Sequence, residues 1–94
     1  MTVGVIARLK IQEGKNEEFE TIFAELVAAV RENEAGNNFY ALHKADSTNY
    51  VVLEQYVDQA ALDAHGQTDY FKSIGARLGG CMAGRPEVEY LEGV

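Results

Sequence analysis

His65, Glu54 and Tyr56 are the residues whose types and spacing gather acid–base chemistry beside an apolar wall in this 94-residue chain. All three lie in one stretch. Its first half, Tyr50-Val51-Val52-Leu53-Glu54-Gln55-Tyr56-Val57, is aromatic and β-branched with apolar residues on both alternating faces, the pattern of a central strand. Asp58 then changes the period: it is a good N-cap, and Ala61, Leu62 and His65 fall on one face of a short helix. His65 is therefore expected to look inward, toward the strand. A free imidazole has a pKa of about 6.5, so at neutral pH it can accept a proton as a general base. The alternative is that His65 packs and hydrogen-bonds on the inner helix face without doing chemistry.

Glu54 shares a strand face with Val52 and Tyr56, and a carboxylate there is costly to bury unless paired. It could orient His65, bind a substrate hydroxyl, or form a structural ion pair with Arg77 or Arg85, and the ion pair is the expected role. Tyr40 and Tyr56 could donate hydrogen bonds to an anionic oxygen, although tyrosines in a small sheet core usually fill volume with the hydroxyl at the edge. Phe71 belongs to the inner stripe of a later helix, a core role that needs no ligand. His43 and His65 sit on separate elements with no third ligand at a suggestive spacing, so no metal site is expected. The chain has no Gly-x-Gly-x-x-Gly, Walker-type loop, Cys-x-x-Cys or Gly-x-Ser-x-Gly, so nucleotide cofactors and serine-nucleophile chemistry have no support.

The elements that must position these residues follow from periodicity. Val3, Val5, Ala7, Leu9 and Ile11 alternate with Thr2, Gly4, Ile6, Arg8 and Lys10, a first strand closed by the turn at Gln12-Glu13-Gly14. From Lys15 to Glu32, Phe19, Ile22, Phe23, Leu26, Val27 and Val30 recur at three- and four-residue spacing, the stripe of an amphipathic helix. Asn16 is the expected cap, Glu17 and Glu18 suit the positive helix end, and Gly36 stands where a helix-stopping residue would. Asn37 to Lys44 reads as a second strand, turning through Ala45–Asn49 into the Tyr50 strand as a hairpin. Gly66-Gln67 interrupts the His65 helix. Thr68 can cap another, in which Phe71, Ile74 and Leu78 share a face before Gly79-Gly80 ends it. Cys81 to Arg85 is a loop, and Pro86 opens a last strand in which Val88 and Tyr90 alternate with Glu87 and Glu89.

The order is β-α-β-β-α-β with the second helical region split in two. This predicts an α+β, ferredoxin-like fold in a single domain over residues 1–94: a four-stranded antiparallel sheet with helices on one face. The first three strands are apolar on both faces, and an uncovered apolar sheet face is seldom left to water. A homodimer packed sheet to sheet through that open face is expected.

Composition narrows the partners. Fifteen acids against eight dispersed bases give a net charge of −7, so nothing resembles the basic cluster that nucleic acids or anionic membranes require. No apolar run approaches a membrane span, and no signal-like leader precedes the first strand. With a single cysteine, Cys81, read as a small loop residue rather than a reactive thiol, a cytoplasmic location is expected.

The residues also resemble the antibiotic biosynthesis monooxygenase (ABM) domain family, of the dimeric α/β-barrel superfamily. The resemblance is carried by Glu13-Gly14-Lys15 before an amphipathic helix, by Glu34-Ala35-Gly36-Asn37 followed by Tyr40, and by Val52-Leu53-Glu54-Gln55-Tyr56 leading to Ala61-Leu62 and His65. It implies a compact pocket between sheet and helices. In several members it also implies oxidation of quinols or polyphenols by O2 without flavin, haem or metal. On that basis the expected function is a cofactor-independent monooxygenase acting on a small aromatic substrate and O2, with His65 as base and Tyr40, Val52, Glu54, Tyr56 and Phe71 as substrate contacts. A proton-transfer isomerase of a small metabolite and a non-catalytic ligand-binding dimer are the alternatives. Some oxygenases of the family carry Asn and Trp four residues apart on the third strand, where this chain has Val52 and Tyr56, and it has no Trp at all. The haem-degrading branch is the more distant for that reason.

Overall fold

Alternation of apolar residues with Gly4, Ile6, Arg8 and Lys10 produces β1 (Val3–Lys10), an interior strand of a four-stranded antiparallel sheet ordered β2-β3-β1-β4. A computed structural model describes every residue from Met1 to Val94. The other elements are α1 (Asn16–Asn33), β2 (Asn37–Lys44), β3 (Asn49–Tyr56), α2 (Gln59–Gln67), α3 (Asp69–Gly79) and β4 (Glu87–Glu92). The helices lie on one face of the sheet, so the fold is the ferredoxin-like arrangement expected, with its second helical region split at Thr68.

Register decides which side chains meet. Directly opposed residues of an antiparallel ladder point to the same face. Val5 pairs with Glu54 and Tyr90, Ala7 with Val52 and Val88, and Leu9 with Tyr50, while Tyr40 pairs with Glu54 and Leu42 with Val52. These residues form the helix-side face. α1 covers it with the stripe Phe19, Ile22, Phe23, Leu26 and Val30, all buried, and α3 adds Ile74 and Leu78. An aromatic ladder runs through this core from Tyr50 over Phe19 and Phe23, the last stacked on Tyr40 with ring centres 5.8 Å apart.

Cys81 does follow α3 in a loop, but the loop is tied down. Gln12 N donates to Cys81 O at 2.8 Å, Ala83 N donates to Lys10 O at 2.8 Å, and the thiol is buried in the core with Sγ donating to Glu18 at 3.3 Å. Burial, and then the Glu18 carboxylate, push this thiol's pKa up, which makes it a poor nucleophile.

Two expectations about α1 are corrected. Asn16 does not cap the helix; Lys15 occupies that position with no side-chain cap bond. Asn16 already lies within the helix, and its Nδ2 donates instead to Ser47 O at 2.7 Å and to the Tyr50 hydroxyl at 3.0 Å, tying α1 to the β2–β3 hairpin. Gly36 is not a left-handed helix stop, since Gly14 is the only residue with positive φ. It is needed for close approach: a Cβ at Gly36 would stand 2.7 Å from Cβ of Ala61 in α2. Gly36→Ala is therefore expected to cost about 1–3 kcal/mol by overpacking. Urea unfolding measures this, and an unchanged midpoint would show that α2 can move away without loss.

Candidate active site

α2 owes its orientation to two capping residues. Asp58 Oδ1 accepts from Ala61 N at 2.9 Å, and Thr68 Oγ1 accepts from Phe71 N at 3.2 Å while donating to His65 O at 3.0 Å. Thr68 thus ends α2, starts α3 and pins the His65 backbone between them. The imidazole that results is 4% exposed and enclosed by three rings, with centres 5.3 Å away at Tyr40, 5.4 Å at Tyr56 and 4.7 Å at Phe71.

His65 is not oriented by Glu54. Its Nδ1 lies 3.0 Å from both carboxylate oxygens of Glu34, the residue that closes α1. A carboxylate can only accept, so Nδ1 carries the proton and Nε2 is left as the basic nitrogen. The Tyr70 hydroxyl donates to the same Glu34 carboxylate; burial and this bond push the Tyr70 pKa up to about 12, so it remains a donor. Glu34 was not among the sequence-derived candidates. A signal for it existed, because Glu34 lies four residues beyond Val30 and so extends the buried stripe of α1 with an acid.

His65 faces a cavity of about 1350 Å³ between the sheet and α2–α3, with Glu34 behind it. His65, Tyr40, Val52, Glu54 and Phe71 all line it, together with an apolar floor that includes Val5, Ala7, Phe23 and Leu26. Tyr56 does not line it. That residue lies behind the wall, its ring against His65 and its hydroxyl donating to Glu54 at 2.7 Å. On the β4 side Val88 and Tyr90 line the cavity but are 45% and 65% exposed, which marks the open side. Neither His65 Nε2 nor the Tyr40 hydroxyl bonds within the chain. Every fully buried side-chain nitrogen or oxygen does have a partner, so these two atoms open to the cavity.

Neither expected arginine pairs with Glu54. Arg77 makes a two-bond ion pair with Glu25 across α1 and α3, both bonds 2.8 Å, and Arg85 sits at the cavity lining without a carboxylate partner. Burial raises the Glu54 pKa, the Tyr56 hydrogen bond and nearby His65 partly offset that, and Glu34 adds to it. Burial also lifts the Tyr40 and Tyr56 hydroxyls far above the usual phenol range, with Glu54 as the next cause, so both stay protonated. No three His, Cys, Asp or Glu side chains converge in a way that could hold a metal ion.

The raised Glu54 pKa has a sign that can be tested. The native carboxyl keeps a proton that the unfolded chain has already released, so this group's contribution to stability is lost as pH rises from the ordinary carboxylate range through the raised value. Glu54→Gln retains an oxygen acceptor for Tyr56 and cannot ionise. It is expected to raise Tm, and to do so more at about pH 8 than at about pH 4. Thermal unfolding at the two pH values measures this; an equal shift at both would show that Glu54 does not titrate abnormally.

A ferredoxin-like α+β domain whose histidine, backed by a carboxylate, faces an apolar cavity is the class that fold and site define. The family profile described as "Antibiotic biosynthesis monooxygenase" matches residues 2–77, and the chain belongs to this family. A Caulobacter crescentus protein, provisionally described as an antibiotic biosynthesis monooxygenase, is 47% identical, with 99% of this chain and 90% of that one covered at a TM-score of 0.94. A Pseudomonas aeruginosa protein is 28% identical with 99% and 94% covered (TM-score 0.85). A Mycobacterium tuberculosis protein, 24% identical with 100% and 96% covered (TM-score 0.89), shares the fold. Among curated proteins none matches the chain.

Proposed function

We propose that the protein is a cofactor-independent monooxygenase that oxidises a small quinol or polyphenol with O2. The observation that carries this reading is the His65–Glu34 dyad, with Nε2 open to a cavity of mostly apolar walls. His65 Nε2 takes a phenolic proton, and Glu34 stabilises the imidazolium that forms. The resulting phenolate is electron-rich enough to reduce O2. One oxygen atom enters the ring in place of hydrogen and the other leaves as water, so a hydroquinone becomes a hydroxyquinone and the substrate supplies every electron. The protonated Tyr40 hydroxyl, and Val52 and Phe71 as walls, hold the ring and exclude water. Tyr56 acts from behind, through Glu54. Reaction under 18O2 followed by mass spectrometry tests the scheme: one labelled atom per product molecule supports it, and label only in water or peroxide contradicts it.

An isomerase that moves a proton within a small metabolite would use the same dyad and consume no O2, and a binder would hold its ligand without product. No helix of the chain is long and apolar enough to cross a membrane, and the reading places the enzyme in the cytoplasm.

The working unit in this reading is a homodimer joined through the sheet face that the helices leave bare. Ile6, Ala41 and Leu53 are cross-strand neighbours at its centre, and Phe39, Leu53 and Leu91 are 48%, 37% and 43% exposed on it. Burying such a patch is favourable by about 25 cal/mol per Å². Leu53→Asp puts a charge at that centre and is expected to convert dimer to monomer in light scattering. A variant that remains dimeric would place the interface elsewhere.

A further inference from the structure

Glu54 is the acid in the cavity wall to which the base reaction gives no task. It projects from β3 between Val52 and Tyr56, opposite Val5 on one side and Tyr40 on the other, and is 7% exposed. Tyr56 donates to Oε1 at 2.7 Å. Oε2 has no partner within the chain, and since every fully buried side-chain oxygen has one, Oε2 opens to the cavity.

No cation is paired with this carboxyl, although Arg85 lines the same cavity. Arg8, Arg77 and Lys15 are paired with Glu89, Glu25 and Glu18 on the surface, and Arg85 forms no ion pair. The titratable groups packed toward it are Tyr56 on its own strand, Tyr40 on β2, His65 on α2 and Glu34 at the end of α1. Two are neutral phenols, one is an anion, and the imidazole is already committed to that anion. A carboxyl so placed in an apolar wall has its pKa raised, by burial first and by the nearby Glu34 as well, because ionising it would bury a negative charge.

We infer that Glu54 is a neutral acid at neutral pH and donates a hydrogen bond from Oε2 to a substrate oxygen other than the one His65 deprotonates. This rests on His65 as the base. The proton leaves one hydroxyl for Nε2, and the electron pair left behind delocalises through the ring onto a second oxygen. Glu54 keeps its own proton and donates to that oxygen as its charge grows, which is the task of an oxyanion donor. No other bond breaks. Within the quinols and polyphenols, the substrates that use both groups are those with a hydroxyl conjugated to a carbonyl, which carries the second oxygen that takes up the charge.

Infrared spectroscopy separates carboxylic-acid carbonyls from carboxylates and needs no turnover. Wild-type protein at neutral pH is expected to show a carboxylic-acid band that is missing in Glu54→Gln, an isosteric change that keeps the Tyr56 bond. Adding 4-hydroxyacetophenone, a phenol conjugated to a carbonyl, should shift that band to lower frequency as the acid donates to the ligand. Absence of a Glu54-dependent band overturns the inference. A band that this ligand does not move up to its solubility limit overturns the donor role as well. Protein that passes both arms yet consumes no O2 would keep Glu54 as donor and lose the oxygenase reading, so the two failures are distinct.

Discussion

His65→Ala is expected to slow turnover by about a hundredfold or more, the effect of losing a general base. The Tyr40 and Tyr56 hydroxyls are held protonated by burial and cannot take over the task. The loss should fall on kcat, since Phe71, Val52 and the apolar floor still hold the substrate. Circular dichroism and light scattering on the variant separate this from unfolding, because His65 also fills space among three aromatic rings. Steady-state rates unchanged in a folded variant would remove the base assignment.

Glu34→Gln is expected to lower kcat by about 10²–10⁴ through the tautomer rather than the shape of the site. Glutamate accepts from Nδ1 and so leaves Nε2 unprotonated toward the cavity. The glutamine amide can donate to Nδ1, which favours the proton on Nε2, where it blocks proton acceptance. Nitrogen NMR of the labelled imidazole reports this directly: the wild type should show the Nδ1–H form and the variant a shift toward Nε2–H. Glu34→Ala should in addition cost about 1–3 kcal/mol, since the Tyr70 hydroxyl and His65 Nδ1 both lose their acceptor in a partly buried place. Full activity with an unchanged tautomer in the glutamine variant would mean that the dyad is structural.

What could be read in advance was whatever periodicity and capping encode. The α1 stripe, the alternation of β1 and β3, Asp58 before α2 and Thr68 before α3 all act through near neighbours, and they suffice to turn His65 inward. Polar partnerships across the fold act through packing angles, which no local pattern contains. Glu34 meets His65 only because the end of α1 lies against α2, where Gly36 allows contact with Ala61. Arg77 finds Glu25 rather than Glu54 because α3 runs beside α1 on the outer surface. Asn16 leaves the cap position for Ser47 and Tyr50 for the same kind of reason. Tyr56 could be placed on the right strand face from its spacing, but not behind the cavity wall, because its reach depends on where the Glu54 carboxyl stands.

Oxygen uptake by metal-free, cofactor-free protein across a panel of hydroquinones and polyphenols tests the central claim most directly, with His65→Ala run beside it. The predicted result is consumption above the no-enzyme background, with quinone appearing in step, for at least one member, and a rate about a hundredfold or more lower in the variant. No consumption above background for any member would contradict oxygenation and leave the dyad to an isomerase or a binding protein.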